Sequence, residues 1–560
     1  MTSTGVSEAL RDELEKALPP DRVIGESAAL DRAARSTTPF PRRPCLIVRP
    51  TTTGEVAAIV RIAARHGASV HPVSAGRNWG YSDACAPVEG AILVDLSGMN
   101  RILEVNAELG YAVVEAGVTQ GQLARHLRET GLPLRLDAVG SGPDASLVGN
   151  FLERGFGHGT YGERCGCACD LEIVLADGTV FRTGFGGYAD ARAASVHRWG
   201  IGPWLDGLFM QSNLGIVTRA TIWLAPEPGA AAYFVVSVED EADGGLLLET
   251  LRDLKLQGTA RSTMHVFNDM RLLGTATRRP EDVPRTVPLD VADPARTAAM
   301  KREFGVRAWA ASGLLVATTA AEVRAQRRAV KNALRRLPSL KLVFTIDDRW
   351  YKRIARLRAK VPRALGGLPP LRMWDQLAMG VDLLRGEMRY DTLKSALWRA
   401  RGTGGPTFDP LEAGAGTVWV SPVLPSTRED LDRIGAIARP ILASYGFEYG
   451  VTFSLVSDRA SAAVISICFD RTDPEETTRA AAAHDALLEA FLENGYVPYR
   501  GTNRALEILR AANPAFWRVA SRIKQSLDPG GVVSPGRYIG DCSAVSRGPE
   551  GGRDLQPGGA

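Results

Sequence analysis

The chain has 560 residues, and its 67 Lys and Arg against 63 Asp and Glu leave a formal net charge of +4. This balance is too even for an electrostatic nucleic-acid binder, and 45% hydrophobic residues with 23% charged residues are typical of an ordinary globular protein. Seven cysteines over this length do not make a disulfide scaffold.

The first 35 residues are charged and helix-like, and they show no apolar stretch ahead of a small-residue cleavage site. No apolar run approaches the ~20 residues that span a bilayer. The sequence therefore predicts a cytoplasmic protein of more than one folding unit that binds neither membrane nor nucleic acid.

Residues 46–225 alternate between helix and strand patterns. Apolar residues at helical spacing predict helices at 52–67 and 120–130, and short β-branched runs predict strands at 91–96, 102–105, 111–115, 173–175, 180–182 and 216–224. Three glycine-rich loops connect them, at 74–83, 139–150 and 155–162. Glycine lets a backbone approach a ligand closely, so the first two loops together indicate a site that binds a pyrophosphate. Either loop alone is as well explained as an ordinary connection.

Residues 229–495 have a different character. The patterns predict strands at 233–238 and 314–318, helices at 320–336 and 383–398, and loops at 275–296 and 401–416. A further helix is expected to begin at Asp473 and Pro474 and to end at Gly495. Residues 542–560 are expected to be disordered, since they lack apolar periodicity.

Several familiar motifs are missing from the sequence. It contains no phosphate-binding P-loop, no H-E-x-x-H and no G-x-G-x-x-G between a strand and a helix, which argues against P-loop NTPases, zincins and Rossmann dehydrogenases. Cys165, Cys167 and Cys169 would share one face of a strand, either as a metal or redox site or as a small apolar face. Without C-x-x-C spacing the second interpretation is favoured, and no metal is predicted.

Long collinear runs over residues 40–540 resemble the FAD-dependent vanillyl-alcohol oxidase / p-cresol methylhydroxylase flavoproteins. The runs include HPVSAGRNWGYSDACAP, VGNFLERGFGHGTYGE, RWGIGPWLDGLFMQSNLGIVT, GTVWVSPV, GYVPYRGTN and LDPGGVVSPGR. The resemblance implies an α+β fold with a two-part FAD-binding domain, at 41–228 and 496–541, around a cap at 229–495. Residues 1–40 would be an N-terminal helical segment and 542–560 a tail, and the family suggests a homodimer.

The resemblance also implies the site. Tyr81 with the Tyr499–Arg500 pair would bind a phenolate, Glu163 would be the acid or base for the benzylic carbon, and Arg537 would lie near the flavin. FAD would be held by a larger set of residues: Pro72, Val73, Ser74, Ala75, Gly76, Arg77, Asn78, Trp79, Gly142, Pro143, Ser146, Gly149, Asn150, Gly157, Gly215, Ile216, Val217 and Arg537.

The expected activity is oxidation of a para-substituted phenol at its benzylic carbon, with hydride transfer to flavin N5 through a p-quinone methide. A free phenol has a pKa near ~10, so a cation and hydrogen-bond donors are needed to favour the phenolate at neutral pH. The electron acceptor would be O2 or an external carrier. Two alternatives stay open: a 2-hydroxy acid or sugar/alcohol oxidase on the same fold, and a flavin-binding scaffold without activity.

Three departures from the family pattern qualify these expectations. Asp409 and Thr417 occupy positions at which the family often attaches FAD covalently, so non-covalent FAD is predicted. Ala462–Ala463 replaces a pair of histidines near the substrate. His158 stands where a tyrosine is usual. The last two changes suggest a larger para-substituted phenol as substrate.

Overall fold

The computed structural model describes residues 7–362 and 368–540. The tail expected to be disordered lies outside these ranges. Within them, no helix combines the length and apolar character needed to cross a bilayer.

The N-terminal region carries five helices and eleven short strands. The helices are α1 Glu8–Ala17, α2 Ser27–Ala33, α3 Thr53–Arg65, α4 Gln120–Glu129 and α5 Leu147–Leu152. The strands are β1 Val23–Ile24, β2 Leu46–Val48, β3 Val70–Val73, β4 Ile92–Asp95, β5 Ile102–Asn106, β6 Tyr111–Glu115, β7 Leu134–Arg135, β8 Ala168–Val174, β9 Val180–Arg182, β10 Ile216–Trp223 and β11 Ala225–Pro226.

These strands form two main sheets. The first has the order β1-β2-β4-β3, in which β2, β4 and β3 are parallel, and the second is antiparallel with the order β5-β6-β10-β8-β9. Helix α3 covers the first sheet because its apolar residues recur at helical spacing and are buried, and Thr52 caps it by accepting a hydrogen bond from Glu55 N. The helix and strand positions expected for this region are therefore confirmed to within a few residues.

Residues 229–495, here called the cap region, contain one large antiparallel sheet. Its strands are β12 Ala230–Val238, β13 Met264–Asn268, β14 Trp309–Ala317, β15 Leu340–Asp347, β16 Ala415–Val420, β17 Val423–Pro425, β18 Gly450–Leu455 and β19 Ala460–Asp470. They pair in the order β15-β12-β14-β13-β18-β19-β16, and β17 also pairs with β19. The helices are α6 Gly244–Leu256, α7 Asp269–Ala276, α8 Leu289–Ala292, α9 Pro294–Phe304, α10 Ala320–Leu334, α11 Asp348–Arg358, α12 Pro369–Leu384, α13 Arg428–Ser444 and α14 Pro474–Glu493.

The two faces of this sheet differ in chemistry because side chains alternate along each strand. One face carries Ile465, Ile467 and Phe469 of β19 into an apolar core. The opposite face, here called the polar sheet face, carries small, polar and aromatic side chains over β13, β16, β18 and β19: His265, Phe267, Thr417, Trp419, Ser421, Thr452, Ser454, Ser466 and Cys468.

The chain returns to the N-terminal region after the cap. Helices α15 Asn503–Ala512 and α16 Pro514–Leu527 precede an extended segment. In that segment Val532 O accepts a hydrogen bond from Val70 N at 2.8 Å, and Ser534 N donates to Val70 O at 2.8 Å. Strand β3, which leads into the first glycine-rich loop, is therefore flanked by a segment more than 450 residues away along the chain.

Three local expectations were wrong. The helix expected at 383–398 is instead the end of α12, a turn at Gly386 with φ +81°, and a 3-10 helix at Tyr390–Leu397. The segment 275–296, expected to be a loop, holds α8 and the start of α9. Cys165 and Cys167 lie in a 3-10 turn before β8, so only Cys169 sits on a strand.

Candidate active site

A cleft opens between the loop after β3, the start of α5 and the returning C-terminal segment. It encloses about 1230 Å³ of empty space, including its mouth. Fifteen of the residues expected to hold a cofactor line it: Pro72, Val73, Ser74, Ala75, Gly76, Arg77, Asn78, Trp79, Ser146, Gly149, Asn150, Gly215, Ile216, Val217 and Arg537. The two segments expected to hold FAD therefore do meet at one site.

Three expected cofactor residues do not line the cleft. Gly142 has φ +86° and its carbonyl accepts a hydrogen bond from Gln120 at 2.6 Å. Pro143 is packed so closely that a Cβ on Gly121 would lie 2.9 Å from it. Gly157 N donates to Gly162 O at 2.9 Å. These residues shape neighbouring turns.

The cleft fits an elongated, polar cofactor such as FAD. Gly76 has φ +63°, a conformation that favours glycine and turns the loop backbone at the cleft. Trp79 Nε1, Asn150 Oδ1 and Arg500 Nε are buried and have no hydrogen-bond partner among the described residues. Because buried polar atoms are nearly always satisfied, these atoms are suited to a bound polar group.

Tyr81 and Arg500 form the centre of the expected phenol-binding cluster. The Tyr81 hydroxyl shares a 2.5 Å hydrogen bond with Ser421 Oγ on the polar sheet face, and only 1% of its surface is exposed. The Arg500 guanidinium lies 3.9 Å from the centre of the Tyr81 ring and donates to Asn78 Oδ1. Burial raises the pKa of Tyr81 well above its usual value, and the neighbouring Tyr499 adds to this, so Tyr81 stays protonated as a donor.

Backbone hydrogen bonds position Tyr499 beside this pair. Its N–H donates to Ser421 O at 3.2 Å, and its carbonyl accepts from Gln211 Nε2 at 2.8 Å. Its ring lies 5.8 Å from the ring of Phe156. Tyr81, Tyr499 and Arg500, which are far apart in sequence, are thus brought together.

Arg500 remains a cation in this buried site. Burial alone would lower the pKa of Arg500, but Tyr499, Tyr81 and Glu153 act against burial and raise it overall. A fixed positive charge is therefore available next to two phenolic hydroxyls, which is the arrangement that favours a bound phenolate.

Arg537 lies in the cleft and is held by Glu153 and Asn503. Its guanidinium donates to Glu153 Oε1 at 2.7 Å and to Asn503 Oδ1 at 2.9 Å, and the Tyr538 hydroxyl donates to Glu153 Oε2 at 2.5 Å. Burial would raise the pKa of Glu153, but Arg537 and Arg500 lower it overall. Glu153 is therefore a carboxylate that orients Arg537.

Glu163 is not brought to this cluster. Its side chain is exposed and does not line the cleft, and its carboxylate lies 4.0 Å from Cys165 Sγ. Glu163 pairs through its backbone with Phe156, whose ring contacts Tyr499.

The residues that depart from the family pattern each contact identifiable neighbours. Asp409 pairs with Arg77 of the first glycine-rich loop at 2.7 Å, and Thr417 is buried on the polar sheet face. Ala462 lies opposite Ser454, and Ser454 Oγ is 3.0 Å from His265 Nδ1. His158 lies against His265, with ring centres 4.4 Å apart.

These two histidines are neutral. Burial lowers the pKa of His158 to about 4 and that of His265 well below its usual value. A different pair of imidazoles therefore stands near the position where Ala462–Ala463 lacks one.

Sequence reasoning missed several residues of the site: Glu153, Gln211, Ser421, Trp419 and Asn503. All five occur inside the quoted family runs, so the sequence marked their positions without giving them a role. Ser421 directly follows β16 and Asn503 is the first residue of α15, and only the three-dimensional contacts give them a role. In the ranges 7–362 and 368–540, no group of three or more His, Cys, Asp or Glu side chains could hold a metal ion.

Comparisons with known proteins agree with the geometry. Residues 44–184 match the FAD binding domain family. The chain is 36% identical to the 1'-carboxy-chondrochloren decarboxylase of Chondromyces crocatus, over 94% of this chain and 97% of that protein. It is 31% identical to the flavoprotein subunit of the hydroxylating 4-cresol dehydrogenase of Pseudomonas putida, over 88% of this chain and 87% of that protein.

A solved structure extends the similarity to the whole fold. The 4-ethylphenol oxidase of Gulosibacter chungangensis, solved as an isoeugenol complex, matches 96% of this chain and 99% of its own, with a TM-score of 0.85 and 25% identity. Nearly full-length similarity of sequence and fold, together with the cleft, leads to one assignment. The chain belongs to the p-cresol methylhydroxylase / vanillyl-alcohol oxidase family of FAD-dependent oxidoreductases.

Proposed function

We propose that this enzyme oxidises a para-substituted phenol at its benzylic carbon. The observation that carries the proposal is the cluster of Tyr81, Tyr499 and Arg500 beside the cleft. Two phenolic donors and a cation lower the pKa of a bound phenol, and the resulting phenolate pushes electrons towards the para carbon. An oxidase of 2-hydroxy acids or sugars has no use for such a cluster.

In this reaction some residues would bind the phenolic oxygen and others would supply positive charge. Tyr81 and Tyr499 would donate hydrogen bonds to the phenolic oxygen, and Arg500 would balance its charge. Arg537, oriented by Glu153, adds positive charge inside the cleft. FAD bound along the first glycine-rich loop and the start of α5 would supply the acceptor of the benzylic hydride at N5.

Loss of the hydride leaves a p-quinone methide, which can regain its aromatic ring in two ways. Water can add to the benzylic carbon and lose a proton to a base. Alternatively, a carboxylate on the next carbon can leave as CO2, and its C–C bonding electrons form the new double bond. The exposed position of Glu163 and the name of the Chondromyces crocatus decarboxylase favour the second way.

The test is anaerobic mixing of the holoenzyme with 4-ethylphenol, with 3-(4-hydroxyphenyl)propionate and with D-lactate. Bleaching of the flavin band by a phenol, and its absence with D-lactate, is the expected result. Arg500→Lys should slow reduction by about 10- to 100-fold, since a point charge replaces a guanidinium fixed over Tyr81. Reduction by D-lactate alone would contradict the proposal.

We also propose that FAD is bound non-covalently. Asp409 is engaged by Arg77, and Thr417 carries an aliphatic hydroxyl, so neither provides the aryl-ether or imidazole linkage. Acid precipitation should release the yellow flavin into the supernatant. Flavin retained in the washed pellet would disprove non-covalent binding.

A further inference from the structure

Arg271 on α7 is a cation without a carboxylate partner. Its Nε donates to Thr452 Oγ1 at 3.3 Å, on the polar sheet face. In the described part of the chain, no Asp or Glu oxygen forms an ion pair with it within 4.0 Å. The nearest acidic residue in sequence, Asp269, pairs instead with Lys301.

The space next to Arg271 contains polar groups but no available negative charge. A cavity is lined by Arg271, Ser466, Cys468 and Glu448, among others. Ser466 is 8% exposed, and its Oγ has no hydrogen-bond partner among the described residues. Burial raises the pKa of the Cys468 thiol to about 11, so it is neutral.

Glu448 cannot serve as the partner of Arg271, because its carboxylate is already saturated. One oxygen accepts from Arg279 and from Leu289 N, each at 3.0 Å. The other accepts from Trp398 Nε1 at 3.1 Å and from Arg399 at 3.0 Å.

Arg399 is buried and Arg271 is half-buried, and their electrostatic surroundings differ. For Arg399, burial is outweighed by Glu448 and Glu476, and its pKa is raised. For Arg271, burial dominates and lowers the pKa. Removing an unpaired cation from water costs free energy, and no carboxylate among the described residues offsets this cost at Arg271. An anionic ligand bound there would offset it.

The position of Arg271 matches a substrate that reaches from the phenol cluster across the sheet. Ser421, which bonds Tyr81, follows Val420, and Val420 opposes Ile465 of β19. Val464, which precedes Ile465 in β19, opposes Thr452. Ser421 and Thr452 are thus two strand spacings apart, about 10 Å, on one face of the sheet. A para-hydroxyphenyl ring with a short acid side chain has a comparable length.

Resting on the proposed function, we infer that Arg271 binds a carboxylate carried by the para side chain of the phenolic substrate, with Thr452 and Ser466 beside it. The substrate class is therefore a 4-hydroxyphenyl-substituted carboxylic acid. The phenol is held at one end by Tyr81, Tyr499 and Arg500, and the acid is held at the other end by Arg271.

The test compares 3-(4-hydroxyphenyl)propionate with its methyl ester in anaerobic reduction of the holoenzyme. The apparent affinity comes from the concentration dependence of the reduction rate. Wild type should bind the acid more tightly than the ester. Arg271→Met should weaken the apparent affinity for the acid by about 10- to 100-fold, which is the range for a hydrogen bond to a charged group. The apparent affinity for the ester should stay at its wild-type value. Arg271→Lys should restore part of the preference.

The matched control is Arg302→Met, which removes an exposed arginine of α9 and should change the apparent affinity for neither compound. If wild type binds acid and ester equally, the assignment of Arg271 is overturned, even if Arg271→Met fails to fold. Failure of the proposed function has a different signature, because then neither the acid, the ester nor 4-ethylphenol reduces the flavin.

Discussion

At the scale of single residues, Glu153 shows how one carboxylate sets the electrostatics of the cleft. It accepts hydrogen bonds from Arg537 and from Tyr538. Among the described residues that line the cleft, Asp83 is the only other acidic one. Its lowered pKa means that the folded protein favours the ionised form more strongly than the unfolded chain does.

Glu153→Gln tests this role through the pH dependence of stability. A carboxyl group whose pKa is lower in the folded state contributes its full stabilisation of the folded protein at pH values above its unfolded-state pKa of about 4.3. That contribution is lost as the pH falls below this value towards the folded-state pKa. We expect the variant to lose about 1–3 kcal/mol at pH 7 and to have a flatter stability curve below pH ~4.5. Thermal unfolding of the holoenzyme between pH 3 and 7 measures both.

Glu429→Gln is the control, because Glu429 pairs with Arg433 on the surface, where its side chain is 78% exposed. A Glu153→Gln curve parallel to those of wild type and Glu429→Gln would show that Glu153 does not ionise preferentially in the folded state.

At the scale of elements, the two faces of the cap sheet carry different side chains. Its apolar face packs into the core, and its polar face bears Ser421, Thr452 and Ser466. The alternation in β19, from Ala463 through Phe469, is visible in the sequence and could have predicted a two-faced strand. Which face meets a ligand could not be predicted, because it depends on pairing with β16 and β18.

Element ends were harder to predict than element types. The helix expected at 383–398 failed because Gly386 takes φ +81°, and a Cβ there would lie 2.5 Å from Leu136 O. The charged, helix-favouring composition that follows is bent into a 3-10 turn by tertiary contacts. One of these is the hydrogen bond that the Thr392 hydroxyl donates to Gly140 O at 2.9 Å.

The cap is also held by Arg399, which is 1% exposed and bridges Glu448 and Glu476. Removing one partner of a buried ion network leaves unpaired charge, so Arg399→Ala should destabilise the protein by about 3–5 kcal/mol. Differential scanning calorimetry checks this against Arg433→Ala, whose exposed pair should contribute only about 0–1 kcal/mol. Equal shifts for the two variants would refute a stabilising role for the buried network.

At the scale of the whole molecule, the site is an assembly of distant segments. Tyr81 meets Ser421, Arg500 meets Asn78, and Arg537 meets Glu153, over separations of 340, 422 and 384 residues. The family runs predicted the α+β fold and most of the cleft. They could not predict the unpaired Arg271 or the His158–His265 contact, because those depend on how α7 and the third glycine-rich loop dock on the sheet.

The central claim is that a phenolate bound by Tyr81, Tyr499 and Arg500 loses hydride from its benzylic carbon. The most direct measurement is stopped-flow anaerobic flavin reduction by 4-ethylphenol, with and without deuterium at the benzylic carbon. We expect the phenol to bleach the flavin and deuteration to slow the bleaching. Flavin that stays oxidised, or reduction that is equally fast with both isotopologues and unaffected by Arg500→Lys, would contradict it.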